Sequence, residues 1–212
     1  FAILFACGLR GMIYVPLNWR LSTEELNDIV ADATPSLLLY DQGIPCPLQL
    51  ATMYPIQQVL PSATIASSIE LDLNEPWLMI YTGGTTGKAK GVVLSFNSVN
   101  WNAINTIISW GLCEDDCTLN YMPMFHTGGL NALSIPLLMA GGTVVIGDKF
   151  EAETALKAIN FYKTTISLFV PTMYQAMITT NYFHKSSFPT VKVFLSGGAP
   201  CPLPIYDAFF KK

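Results

Sequence analysis

The chain has 212 residues, of which 51% are hydrophobic and 12% charged, and its net charge is −4. That is enough for one large domain or two small ones with a sizeable core, and the acidic balance leaves no basic footprint for nucleic acid. Five cysteines is an odd number, and the close pair Cys113 and Cys117 has a CxxxC spacing that is not a usual zinc or redox spacing. Reduced thiols in a cytoplasmic protein are therefore expected. The most apolar stretch, Gly128 to Gly147, is interrupted by Asn131, Pro136 and Gly141-Gly142. A spanning helix wants about 20 mostly apolar residues in a row, so no transmembrane segment is expected. Residues 1–9, FAILFACGL, lack the basic n-region of a signal peptide. Both ends read as cut inside helices, which points to a piece of a longer protein. Apolar surface left open at such ends favours a homodimer or aggregation.

The first ten residues read as a buried helix, and Met12 to Val15 as a short apolar run closed by Pro16. Ser22 with Glu25 three residues on forms a capping box, which opens a helix to about Ala33. Ser36 to Tyr40 reads as a buried strand. Residues 41–74 are proline-rich and aperiodic, so loop is expected, with one short strand near Gln57 to Leu60. Trp77 to Tyr81 and Gly91 to Ser95 read as strands. Ser95 caps a helix over Phe96 to Trp110, and Thr118 to Tyr121 is the next strand.

A helix is expected from Gly129 to Ala140, ended by Gly141-Gly142, and TVVIG as a strand after it. Glu151 to Lys163 carries Ala155, Leu156, Ile159 and Tyr162 on one helical stripe. Ile166 to Val170 is a strand, Pro171 opens a helix to about Thr180, Val191 to Ser196 is a strand, and Pro202 opens the last helix. Strands and helices alternate, and several strands are apolar on both faces. That pattern predicts an α/β fold, a mostly parallel sheet flanked by helices.

The stretch between the strands at 77 and 95 is unlike the rest. YTGGTTGKAKGVV packs four glycines, three threonines and two lysines behind the apolar run WLMI. Glycines let backbone approach a ligand, and bare N–H groups make a concave anion site. Thr82, Thr85 and Thr86 add hydroxyls, and Lys88 and Lys90 add charge suited to phosphate oxygens. Placed after a strand, the loop is expected at the carboxyl end of a sheet, where open α/β folds bind ligands. A P-loop fits poorly: Thr82 falls where the first glycine belongs, and Ala89 where Ser or Thr belongs. An ordinary hairpin turn is the plain alternative.

This loop resembles the phosphate-binding loop of the adenylate-forming superfamily, the acyl-CoA synthetases, luciferases and adenylation domains, usually [YF]-T-S-G-[ST]-T-G-x-P-K-G. Pro123-Met124-Phe125-His126-Thr127-Gly128-Gly129 is similar to the P-x-F-H-x-x-G motif, and Ser196-Gly197-Gly198-Ala199-Pro200 to the G-G-A-P segment that meets adenine. Upstream, GMIYVPLNWRLSTEEL (residues 11–26) resembles G-A-x-x-V-P-L-N-x-x-x-x-x-x-E-L. The likeness spans nearly the whole chain. Gly83 stands in place of Ser, Ala89 in place of Pro, and Phe96 where His often follows. The family's later G-Y-G-x-T-E motif, its ribose-binding Asp and its small C-terminal domain with the catalytic Lys are not in these residues. On this resemblance, residues 1–212 are a partial AMP-binding N-terminal domain, most like the fatty-acid-CoA ligases, and expected to be inactive alone.

The resemblance implies two steps: a carboxylic acid and Mg-ATP give an acyl-adenylate, and coenzyme A then takes the acyl group. It implies that Thr82, Gly83, Gly84, Thr85, Thr86, Gly87, Lys88 and Lys90 hold phosphates. Thr82 also touches Mg2+, His126 faces the carboxylate and α-phosphate, and Gly197, Gly198, Ala199 and Pro200 border the adenine. Met124, Phe125, Leu130 and Met173 are candidate walls of an acyl pocket, or plain core. His184 has no such frame and reads as a surface residue. A cytoplasmic enzyme, with peripheral membrane contact as the variant, is expected. A non-catalytic nucleotide-binding or interaction domain, or an enzyme for aryl or amino acids, remains the alternative.

Overall fold

A computed structural model describes residues 1–59, 70–83 and 88–212 of the chain. Gly84, Thr85, Thr86 and Gly87 of the expected phosphate loop, and Leu60 of the expected strand, lie outside the described residues. The chain divides into two compact units, residues 1–98 and 99–212.

In the first unit, α1 (Ala2–Leu9) buries only Leu4 and Gly8, and Leu9 stays exposed. The run from Met12 to Val15 makes a single bridge, Tyr14 to Leu78. Helix α2 (Thr23–Ala33) starts with the expected capping box: Ser22 Oγ accepts the Glu25 N–H, and the Glu25 carboxylate accepts the Ser22 N–H. Its buried side, Leu26 and Ile29, contributes Leu26 to a small core with Leu38 and Leu48. Strand β1 (Leu38–Tyr40) pairs in parallel with β2 (Met53–Pro55). Among the described residues, the strand in the proline-rich region thus falls before Gln57 rather than over 57–59. Ile56–Gln58 is instead a 3-10 turn, begun by Pro55, whose fixed φ suits the residue before such a turn.

Strands β3 (Pro76–Thr82) and β4 (Lys90–Ser95) pair antiparallel, with Thr82 opposite Lys90. The glycine-rich stretch therefore joins the two arms of a hairpin, rather than leading from a parallel strand into a crossover. Trp77 and Leu78 are buried, and the Trp77 indole stacks on Phe96 with centroids 5.0 Å apart. Helix α3 (Phe96–Trp110) opens where Ser95 Oγ accepts the Ser98 N–H, as expected of a cap. It carries the chain across the boundary between the units.

The second unit is an α/β layer. Strand β5 (Cys117–Asn120) is followed by α4 (Thr127–Leu130) and α5 (Ser134–Met139). The single helix expected over Gly129 to Ala140 is two pieces with a turn between. Pro136 has no N–H to give to a carbonyl one turn earlier, so it is accommodated in the first turn of a restarted helix. Gly141, at φ 86°, ends α5. Strand β6 (Thr143–Ile146) pairs in parallel with β5. Helix α6 (Ala152–Phe161) buries Ala155, Leu156 and Ile159, but Tyr162 falls beyond its last turn and is exposed. Strand β7 (Ile166–Phe169) leads into α7 (Pro171–Ile178) and α8 (Asn181–Lys185). Strand β8 (Val193–Ser196), parallel to β7, leads into α9 (Leu203–Phe210).

Strands β5 and β7 lie side by side, joined at their start by Thr165 N–H to Cys117 O. Successive strand residues feed opposite cores. Leu119, Val145, Phe169 and Phe194 pack with α6, α7 and α9 around Leu156, Met177 and Phe209. Val144, Ile166, Leu168, Val193 and Leu195 pack against Leu133 and Leu137 on the other side. This is why these strands read as apolar on both faces: helices cover both. All five cysteines are free. The apolar stretch Gly128 to Gly147 is spent on α4, α5 and β6, and among the described residues no helix is long and apolar enough to cross a membrane.

Candidate active site

In the first unit the hairpin neck carries Thr82 opposite Lys90, both exposed. One residue pair back, Tyr81 lies across from Gly91, where a Cβ would come within 3.1 Å of the Tyr81 ring. Helix α2 contacts the first arm of the hairpin and the residue two before the second. Tyr81 OH donates to Asp32 at 2.5 Å, and Lys88 Nζ lies 3.8 Å from Asp28, one turn earlier on the same face. Burial, with the Asp32 hydrogen bond and charge, pushes the Tyr81 hydroxyl up to about 12. At Gly83 a Cβ would meet nothing within 4 Å among the described residues.

In the second unit the loop after β5 carries His126. Its N–H bonds Pro123 O at 3.1 Å, and Gly129 N–H bonds His126 O at 3.0 Å. Gly129 lies against the incoming arm: a Cβ there would sit 2.3 Å from Pro123 O, so the closing glycine of the P-x-F-H-x-x-G pattern has a steric reason. His126 Nδ1 accepts the Gly128 N–H at 3.0 Å. A neutral imidazole that accepts at Nδ1 carries its proton at Nε2. The exposed ring thus offers a hydrogen-bond donor to solvent.

Gly197 to Pro200 follow β8, on the same carboxyl-end rim as His126, with β7 between them. Gly198 has φ +82°, which favours glycine. Tyr174 of α7 donates to Leu195 O at 2.7 Å and so pins the end of β8 just before this turn. Burial raises the Tyr174 hydroxyl far above its usual range, so it stays a donor. Ala199 and Pro200 are exposed.

Of the candidate acyl walls, Leu130 is buried, Met173 packs on the aromatic core around Phe169 and Tyr174, and Met124 and Phe125 are half-buried in the His126 loop. His184 is exposed on α8, as expected.

Two polar side chains here were not legible as functional. Asn120 ends β5 and bonds both arms of the His126 loop. Asp116 precedes β5 and gathers Lys192, Thr165 and Cys113. The sign available in the sequence was a polar residue at each end of the run CTLN.

The second unit is a parallel α/β layer with the His126 loop and the turn at Gly197 to Pro200 at its strands' carboxyl ends, and the first carries the hairpin of Thr82 and Lys90; the chain is a mixed α/β protein. The chain belongs to the AMP-binding enzyme family, whose model matches residues 1–212. It is 30% identical over 99% of its length to a feruloyl-CoA synthase of Amycolatopsis sp, and 35% identical over its full length to a 2-succinylbenzoate–CoA ligase of Bacillus cytotoxicus. The chain spans 44% of the length of each. The o-succinylbenzoate coenzyme A synthetase of Bacillus subtilis, solved with ATP and a magnesium ion, superposes with a TM-score of 0.81 at 28% identity, over 99% of this chain and 44% of that one.

Proposed function

We propose that residues 1–212 are the nucleotide- and acid-binding part of an acid–thiol ligase. A carboxylate attacks the α-phosphate of Mg-ATP, giving an acyl-adenylate and pyrophosphate. The coenzyme A thiol then takes the acyl group and releases AMP. The observation that carries the reading is His126: an exposed ring whose Nδ1 is occupied by Gly128 N–H, leaving Nε2–H to donate to a carboxylate or α-phosphate oxygen. Family membership over all 212 residues supports the same reading.

Thr82, Gly83, Lys88 and Lys90, with Gly84, Thr85, Thr86 and Gly87 between them, are assigned to the β- and γ-phosphates. Lys88 exchanges Asp28 for phosphate when nucleotide binds. Lys90 neutralises charge on the polyphosphate. Magnesium keeps several waters and takes most remaining ligands from phosphates, so the exposed hydroxyl of Thr82 suits the role of a single protein ligand. That ion would supply charge neutralisation at the transferring phosphoryl group. Gly197, Gly198, Ala199 and Pro200 are assigned to the adenine edge.

For the acid, the two relatives are named for ferulate and 2-succinylbenzoate, both aromatic carboxylates. We therefore favour an aryl or arylalkyl acid, with a fatty acid as the second choice. Acid-dependent pyrophosphate–ATP exchange by the intact protein tests this, with ferulate, 2-succinylbenzoate and a series of fatty acids as substrates. Exchange with an aromatic acid is expected. ATP hydrolysis that ignores every acid would refute the ligase assignment.

A further inference from the structure

We propose that Asn120 is the positioning residue for His126. Asn120 is the last residue of β5 and is 6% exposed. Its carboxamide works at both ends. Oδ1 accepts the Met122 N–H at 2.8 Å, on the arm entering the His126 loop. Nδ2 donates to Gly129 O at 2.8 Å, on the arm leaving it, and to Ser134 Oγ at 3.0 Å at the start of α5. Only one amide orientation works, because the reverse would set N–H against N–H and carbonyl against carbonyl. One planar group thus fixes the distance between the two ends of the loop that presents the imidazole.

The inner bonds of the loop depend on that clamp. His126 N–H to Pro123 O, Gly129 N–H to His126 O and Gly128 N–H to His126 Nδ1 all lie between Met122 and Gly129. Releasing either arm lets Gly128 move relative to the ring, and the Nδ1 acceptor bond that assigns the proton to Nε2 goes with it. Behind the loop lies a small cavity lined by Thr118, Asn120, Met122 and Ser134, among others. Truncating Asn120 enlarges a partly polar space that water can enter, and water does not restore the fixed spacing of a carboxamide. Asn120 is buried, and its bonds go to Met122, Met124 and Gly129 of the loop and to Ser134, so it acts on His126 through the loop.

The catalytic consequence rests on the proposed adenylation, whereas the geometric one does not. In the intact protein, Asn120→Ala should lower kcat of acid-dependent pyrophosphate exchange by about 30-fold while the KM for ATP changes by less than about 2-fold. In a His126→Ala background the same substitution should cost no more than about 2-fold, because the residue it positions is gone. Asn120→Asp keeps the shape and the Met122 bond but loses the donors to Gly129. It serves as the second variant should Asn120→Ala fail to fold.

The closing measurement is the 15N spectrum of the His126 ring in histidine-labelled intact protein, assigned by its loss in His126→Ala. A single Nε2-protonated form is expected in the wild type, and a mixture of tautomers in both Asn120 variants. An unchanged ring spectrum in both, or the full kinetic loss persisting without His126, would overturn the proposal. Absence of exchange in the wild type would instead overturn the ligase reading, and the ring spectrum still decides the role of Asn120.

Discussion

The Asp116 carboxylate lies 2.8 Å from Lys192 Nζ, and these residues immediately precede β5 and β8. Thr165, immediately before β7, donates to the same carboxylate at 2.7 Å and accepts the Cys117 N–H at 3.0 Å. One buried carboxylate therefore ties the amino ends of three strands, at the opposite ends from His126 and Gly197. The far rim carries the His126 loop and the turn at Gly197 to Pro200.

Removing that carboxylate should be felt in stability. Asp116→Ala strips the acceptor from Thr165, Lys192 and the Cys113 N–H, at an expected cost of about 2–3 kcal/mol. Lys192→Ala should cost less, since the lysine is largely exposed and Thr165 and Cys113 still satisfy the carboxylate. Burial alone pushes the Asp116 carboxyl up, but the bonds from Lys192, Thr165 and Cys113 together outweigh it and hold it at about 2, below its ordinary 3.8. A depressed carboxyl contributes stability that is present above its unfolded value and lost as the pH falls through the folded one. The gap in urea midpoint between wild type and Asp116→Ala should therefore close as pH drops from 3.8 toward 2. A gap that widens over that range would show that the pairing has been misread.

Gly129→Ala should damage the His126 loop more than Gly128→Ala. At 129 the new Cβ meets Pro123 O at 2.3 Å and Met122 O at 2.8 Å, both backbone atoms that cannot rotate away. At 128 it meets the tip of Met122 at 3.2 Å and the His126 ring at 3.3 Å, both movable. Overpacking against backbone costs on the order of 1–3 kcal/mol, so thermal melts should separate the two variants clearly. Equal melting points would mean the loop yields at no cost.

The α/β layer was legible because TVVI, ISLF and VFLS each carry adjacent apolar residues, which alternate between the two faces of a strand and so call for cover on both. The antiparallel pairing of β3 with β4 was not, because WLMI and VVLS carry the same pattern in either direction. The break after Leu130 was hidden because the stretch to Ala140 is mostly apolar and reads as one buried helix, although Asn131 and Pro136 mark where the helix stops and restarts. His126, Gly129 and Gly198 were legible by resemblance, since their motifs are local. Asn120 and Asp116 were not: Asn120 works with residues 9 and 14 positions on, and Asp116 with one 76 positions on. No local pattern announces such partners.

Trp77 should prove a keystone of the first unit. Its Nε1 donates to Leu4 O at 3.0 Å, its ring stacks on Phe96, and a Cβ on Gly8 would come 2.8 Å from Nε1. One side chain thus joins α1, β3 and the start of α3. Trp77→Phe keeps an aromatic ring but loses the donor and leaves a gap, for a loss of about 1–3 kcal/mol. Guanidinium unfolding should show a lower midpoint with an unchanged slope. A midpoint within error of the wild type would deny the residue that role.

Thr82 and Lys90 face each other across the hairpin neck, and both are exposed. If they grip one polyphosphate from two sides, their effects on adenylation should be coupled. Lys90→Ala should lower acid-dependent exchange by about 10- to 100-fold, as loss of a charge aimed at a developing phosphoryl charge does. Thr82→Val should lower it by less and raise the magnesium concentration needed for half-maximal rate. The double variant should lose less than the product of the two, because each residue's contribution requires the ligand placement that the other enforces. Neither change should move the melting point appreciably, since neither side chain is buried. Strictly multiplicative losses would indicate that the two residues contact separate ligands, and unchanged exchange in Lys90→Ala would remove the hairpin from the phosphate site.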